Sequence, residues 1–175
     1  MVYAYRSGLG PCISCDNSTV IVRHLTPEDL SQCQEIVRGL PDYFTEDVPE
    51  TIREAVRAHH GWVVTEDGIV VGFAIVDRRS PLAAEVLWMA VRADHRHQGL
   101  GSRLLDHVLQ VLSTEGVELV EAKTLDGSAG YEPYVATRAF WERQGFVQVD
   151  AIDPLPGWRP GNPAAVYVCA LRATR

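Results

Sequence analysis

The residues with the clearest chemistry lie in the segment 88–106, where Arg96-His97-Gln98-Gly99-Leu100-Gly101-Ser102 follows a strand-like run and opens an amphipathic helical pattern. Glycines at 99 and 101 carry no Cβ, so a ligand can come directly against the main chain. Free amides at a helix start, at the positive end of its dipole, hold phosphate oxygens. Arg92, Arg96 and Arg103 add positive charge there, in a chain with 16 Lys and Arg against 23 Asp and Glu, a net charge of −7. The spacing predicts a turn that grips a pyrophosphate.

Two nucleotide motifs fit this turn poorly. A Walker-type loop needs Gly-Lys-Ser/Thr after the turn, and none follows. A dinucleotide fingerprint matches at Gly99 and Gly101, and Glu121 lies about twenty residues on, but the third glycine falls at Leu104. Glu121 also sits inside its strand, and too few βα units follow for a doubly wound sheet.

The elements that must position the turn are readable from periodicity. Strands are expected at 19–23, 62–66, 69–77, 85–91, 117–125, 146–152 and 164–171. Asp67-Gly68 joins the second and third as a tight hairpin. Helices are expected from Thr26-Pro27 to Gly39, over 50–59 with Gly61 as its stop, from Leu100 to Gly116, and from Pro133 to Gln144. The third carries Leu100, Leu104, Leu105, Val108 and Leu112 on one face. Helices interleaved with strands, plus one clear hairpin, indicate a mixed α/β sheet covered by helices.

At 175 residues with 46% hydrophobic and 22% charged content, the chain has the composition of one ordinary globular domain, which excludes disorder. No apolar run approaches the ~18 residues that cross a bilayer, and the opening MVYAYRSGLG does not read as a secretory signal. The acidic balance argues against a nucleic-acid partner. Residues 1–17 read as an arm and 18–175 as the domain. The arm carries Cys12 and Cys15 as C-x-x-C, a spacing shared by zinc sites and redox pairs; without a second ligand pair, two thiols on an extension are favoured over a metal site. Cys33 and Cys169 read as small buried hydrophobes. A reducing cytoplasmic compartment is expected.

Arg96-x-x-Gly99-x-Gly101 resembles R/Q-x-x-G-x-G/A, the pyrophosphate loop of the GNAT family of acyl-CoA N-acyltransferases. It follows Met89-Ala90-Val91, which suits that family's preceding strand. About forty residues on, Thr137-Arg138-Ala139-Phe140-Trp141 with Gly145-Phe146 resembles the second signature in its T-R-A-F-Y variant, with tryptophan in place of tyrosine. The resemblance runs from about residue 20 to 171. It implies a mixed, mostly antiparallel sheet of six to seven strands, splayed between strands four and five and flanked by about four helices, with acetyl-CoA as co-substrate in the wedge.

Carried over by position, the main chains of Met89 and Val91 would bind the pantetheine amides. An amide near Met89 and Ala90 would polarise the thioester carbonyl. Amides from Arg96, His97, Gln98, Gly99, Leu100, Gly101 and Ser102 would hold the pyrophosphate. The implied reaction is direct attack by a primary amine of a small molecule or protein in a ternary complex. An alkyl ammonium with pKa near ~10.4 must first lose a proton, and Glu85 is the candidate base, with a solvated strand-end carboxylate as the alternative and Asp126 as second choice. Trp141 stands where the family places a tyrosine acid. Its indole donates a hydrogen bond but no proton near neutral pH, so packing against the pantetheine is the favoured role.

The resemblance places the acceptor site on the loop 42–50 and the loop 153–163. Tyr43, Phe44, Glu46 and Trp158 are the candidate contacts, and the acidic, aromatic first loop suits a cationic amine. The alternative is that Thr45, Glu46 and Asp47 only cap the second helix. The six histidines show no ligand spacing, so no metal is expected. An acyl-CoA-binding module without turnover is the alternative function, and a homodimer stays open.

Overall fold

The structure, a computed structural model, describes residues 18–171. Residues 1–17, expected as an arm with Cys12 and Cys15, therefore lie outside the described residues. In chain order come β1 (Val20–His24), a 3-10 turn (Pro27–Asp29), α1 (Leu30–Arg38), α2 (Val48–Ala58), β2 (His60–Glu66), β3 (Ile69–Arg78) and β4 (Ala83–Val91). A 3-10 turn (Ala93–His95), α3 (Leu100–Thr114), β5 (Leu119–Leu125), a 3-10 turn (Gly127–Ala129), α4 (Tyr134–Arg143), β6 (Val147–Ile152) and β7 (Ala164–Ala170) complete the order.

All seven strands form one sheet in the order β1-β2-β3-β4-β5-β7-β6, antiparallel except at β4–β5. Asp67 and Gly68 turn the β2–β3 hairpin with φ of 49° and 84°, the left-handed pair that a two-residue hairpin turn needs. Gly61 does not stop α2 as its position suggested. It lies inside β2, where a Cβ would come within 3.1 Å of both Ala74 O and Leu25 Cβ, so close strand approach explains it.

The sheet separates two apolar layers. Leu100, Leu104, Leu105, Val108 and Leu112 of α3 and Trp141 of α4 pack on one face with Trp62, Val86, Val120 and Tyr167. Cys33, Ile36 and Val37 of α1 and Ile52 of α2 pack on the other with Val63, Phe73 and Ile75. Burying each large aliphatic side chain is worth about 1.5–3 kcal/mol, so the 3.6-residue stripe of α3 holds that helix against the sheet.

The β4–β5 pairing carries the functional consequence. It runs only from Ala83↔Leu119 to Val86↔Ala122, and beyond it the two strands part. At the same level the β3–β4 register jumps from Val76↔Val86 to Ile75↔Trp88, which leaves Leu87 as an extra residue on β4. Such a bulge bends its strand and ends regular pairing. The wedge thus originates where β4 carries one residue too many.

Outside the site, Asp29 at the start of α1 is 3% exposed and accepts bonds of 2.7 Å from both Nη1 and Nη2 of Arg23 and 2.9 Å from the Thr26 N–H. The Arg23 hydrogen bonds, against a smaller burial penalty, hold its carboxyl below the usual carboxylate range. A carboxyl whose pKa is lower folded than unfolded stabilises above its unfolded pKa, about 4, and loses that contribution as pH falls through the folded value. The melting temperature is therefore expected to fall on acidification below about pH 4. Asp29→Asn should melt lower at pH 7 and lose less on acidification.

Candidate functional site

β4 delivers the chain to the turn. Arg92 N–H bonds Val71 O at 2.8 Å, facing β3. Main-chain groups alternate between the two edges of a strand, so Met89 and Val91 direct theirs toward the parted side. The carbonyl of Val91 meets Arg96 Nε at 3.5 Å on that side.

The turn then coils through two left-handed residues, His97 at φ 62° and Gly99 at φ 79°, into α3. Gly99 is the N-cap and offers no side-chain cap. The first intrahelical bond runs from Arg103 N–H to Gly99 O, which leaves the amides of Leu100, Gly101 and Ser102 upstream of it. These donors, with the helix dipole behind them, form the anion-binding end expected from the sequence.

Gly101 is informative because the fold does not require it. A Cβ there would meet Phe140 Cε2 at 3.5 Å, Val91 Cγ2 at 3.7 Å and Met89 Cε at 3.8 Å, all ordinary contacts. Alanine favours a helix over glycine by about 1 kcal/mol. The R/Q-x-x-G-x-G/A pattern takes glycine or alanine here, so a small residue, rather than glycine itself, keeps the first turn open to a ligand.

The three arginines around the turn take different partners. Arg92 is bound to Asp94 at 2.6 Å and 3.1 Å, and the Arg92 and His95 hydrogen bonds hold Asp94 far below the usual carboxylate range. Arg103 donates to Val20 O at 2.7 Å, and Arg96 lies 4.4 Å over the Tyr43 ring. The turn's local positive character therefore rests on its amides with Arg96 and Arg103, whose partners are neutral, while Arg92 is offset by Asp94.

Across the opening stands α4. Its Gln144 Nε2 donates to Ser102 Oγ at 2.8 Å. Trp141 is 6% exposed and packs edge-on against Phe140 and Phe146, with ring centroids 5.3 Å and 5.0 Å away.

The loop between α1 and α2 closes the far side. Phe44 faces Trp88 of β4 with centroids 6.2 Å apart, and Tyr43 packs on Tyr134 at 5.3 Å. Tyr43 donates its hydroxyl to Pro133 O at 3.1 Å, while Tyr134 donates to Tyr43 O at 2.8 Å. Burial pushes the Tyr134 phenol up to about 12, so it stays protonated and donating at neutral pH. This reciprocal pair ties the loop to the start of α4. Tyr134→Phe is expected to cost about 1 kcal/mol and lower the melting temperature by about 2–4 °C.

Glu46 is exposed, and Asp47 at the α2 N-cap makes no side-chain cap bond, so capping does not account for this acid. Trp158 is half-buried on the β6–β7 loop, which approaches the α1–α2 loop at Arg159 and Asp47, 3.9 Å apart.

Glu85 is the third residue of β4, not its first, and is 4% exposed. Its Oε2 accepts from Arg79 Nε at 3.0 Å and from Lys123 Nζ at 3.0 Å. It is therefore neither a strand-opening nor a solvated carboxylate. Asp126 caps the turn Gly127–Ala129, and the Ser128 hydrogen bonds hold it down at about 2. Arg79, Trp88 and Lys123 went unnoticed in the sequence; Lys123, two residues after Glu121 in β5, was the available signal.

Residues 57–148 match the family described as acetyltransferase (GNAT) domain. No curated protein matches the sequence. Among solved structures, a GNAT-family protein from Desulfovibrio desulfuricans superposes with TM-score 0.77 at 25% identity, over 88% of this chain and 100% of that one. The ribosomal-protein-S18-alanine N-acetyltransferase from Escherichia coli gives TM-score 0.71 at 20% identity, covering 87% and 94%. An aminoglycoside 6'-N-acetyltransferase complexed with coenzyme A gives 0.68 at 17% identity, covering 89% and 99%. With a family match over more than half its length, on a sheet that parts between β4 and β5 beside a glycine turn, the chain belongs to the GNAT acetyltransferase family.

Proposed function

We propose that the protein transfers an acetyl group from acetyl-CoA to a primary amine, by direct attack while both substrates are bound. One observation carries this reading: the β4–β5 pairing stops at Val86↔Ala122, beside a helix start whose amides are free. Pantetheine would pair with the main chain of Met89 and Val91, and the pyrophosphate would lie on the amides from His97 to Ser102, the Arg96 N–H being given to Ala93 O at 3.4 Å. Two similar structures are named for amine acceptors, an aminoglycoside and a protein alanine, which suits the amine class.

An amide near Met89 and Ala90 would stabilise the oxyanion formed as the amine nitrogen bonds the carbonyl carbon. The C–S bond then breaks and the CoA thiolate takes a proton from solvent. Glu85 is the carboxylate beside the opening, but its Oε2 is shared by Arg79 and Lys123. Water relaying the ammonium proton outward is the simpler path. Tyr43, Phe44, Glu46 and Trp158 would form the acceptor rim, whose acids favour a cationic amine.

A CoA-binding module without turnover is the second reading, favoured by Trp141 at the family's tyrosine position. Acetyl-CoA is expected to raise the melting temperature, since a ligand preferring the folded form stabilises it. Thiol release across an amine panel then separates the readings. Stabilisation with no release from any amine would leave the module; no stabilisation would overturn both.

A further inference from the structure

Beneath the wedge, carboxylates meet in register across three strands. Asp77 of β3 pairs with Glu85 of β4, and Glu85 pairs with Glu121 of β5. Like charges directly opposite each other in a sheet repel. Here two cations interleave them. Arg79 bonds both Glu85 and Asp77, the latter at 3.1 Å, and Lys123 bonds Glu85 at 3.0 Å and also Glu121. His59 adds an imidazole 3.3 Å from Asp77.

Lys123 occupies a particular place in this row. It is the first β5 residue beyond the last β4–β5 pair, Val86↔Ala122, yet its side chain reaches back to Glu85. Burial alone would push its ammonium down, but the hydrogen bonds to Glu121 and Glu85 outweigh that and hold it above the usual lysine value. It therefore stays charged, and its ion pair is the tie beside the point where the strands part. Glu85 is nine-tenths buried, so its charge is weakly screened and strongly felt by both neighbours.

We propose that Lys123 is a positioning residue: by bridging Glu85 and Glu121 it holds β4 and β5 together at the base of the wedge and so sets the width of the acyl-CoA site. This rests on the reading of the wedge as that site. Without the ammonium, Arg79 still pairs Glu85, but Glu121 loses its cation opposite Glu85 in adjacent strands about 4.8 Å apart, and the repulsion loosens the wedge from below.

The test is calorimetric titration of acetyl-CoA, well below each variant's melting temperature, with amide exchange over β4 and β5. Lys123→Met is expected to weaken binding about tenfold and speed exchange in both strands. Lys123→Arg should bind within about threefold of wild type. The double variant Glu121→Gln, Lys123→Met removes the repulsion without restoring a cation. It should also recover to within about threefold, and it remains informative if the single variant fails to fold. Unchanged binding by Lys123→Met, or no recovery in the double variant, overturns the proposal; the latter would make Lys123 a direct ligand contact. Failure of the wild type to bind acetyl-CoA would instead overturn the functional reading beneath it.

Discussion

Glutamate in place of Gly101 is expected to weaken acetyl-CoA binding at least about a hundredfold, about 2.7 kcal/mol, while the protein still folds. The fold has room for a Cβ there, whose nearest neighbours lie at 3.5–3.8 Å. A carboxylate in the first turn of α3 also suits the helix dipole. For a pyrophosphate it is the reverse, because the new side chain adds bulk and negative charge at the amides that would hold it. Gly101→Ala separates the two effects. It should raise helix stability by up to about 1 kcal/mol and bind acetyl-CoA within about threefold of wild type, since the R/Q-x-x-G-x-G/A loop also takes alanine at this place. Gly99 is a poorer probe. Its φ of 79° strains any side chain, so substitution there damages the turn whether or not a ligand uses it.

Trp141→Ala is expected to cost about 3–5 kcal/mol and lower the melting temperature by roughly 10 °C. The indole is 6% exposed and wedged between Phe140 and Phe146 in the layer beneath α3 and α4, so its removal leaves a cavity in close-packed core. Trp141→Tyr keeps a ring in place and should cost only about 1–2 kcal/mol. With packing as the residue's role, kcat for Trp141→Tyr should stay within about threefold of wild type. General acid assistance is worth ~10²–10⁴ in rate, so a tenfold rise would instead show that the reaction lacks a proton donor there.

The amino-acid order revealed much of this architecture because the decisive elements are local. The α3 stripe from Leu100 to Leu112, the Asp67-Gly68 turn and the glycines at 99 and 101 each state their geometry within a few residues, and the structure agrees on all three. The splay expected between the fourth and fifth strands is present, although its cause was not readable. Leu87 looks like any other strand residue until its missing partner on β3 is known.

The site's side chains were less legible for the same reason. Arg92, Arg96 and Arg103 cluster in sequence, yet Asp94, Tyr43 and Val20 draw them to different partners. Glu85 is the candidate base from the family resemblance, by its place in the fourth strand, with the apolar run beside it as support. Its partners Arg79 and Lys123 come from β3's end and β5, and only strand register brings them together. Tyr134 likewise gains its meaning from Tyr43, ninety-one residues away.

The most direct measurement compares calorimetric titrations of acetyl-CoA, of S-acetylpantetheine, which carries the same thioester and pantetheine amides but neither diphosphate nor adenosine, and of adenosine, which controls for the nucleoside. If amides at the start of α3 grip that diphosphate, acetyl-CoA binds and the truncated thioester binds at least about a hundredfold more weakly. Equal affinity for the two thioesters, or no heat from acetyl-CoA, would contradict it.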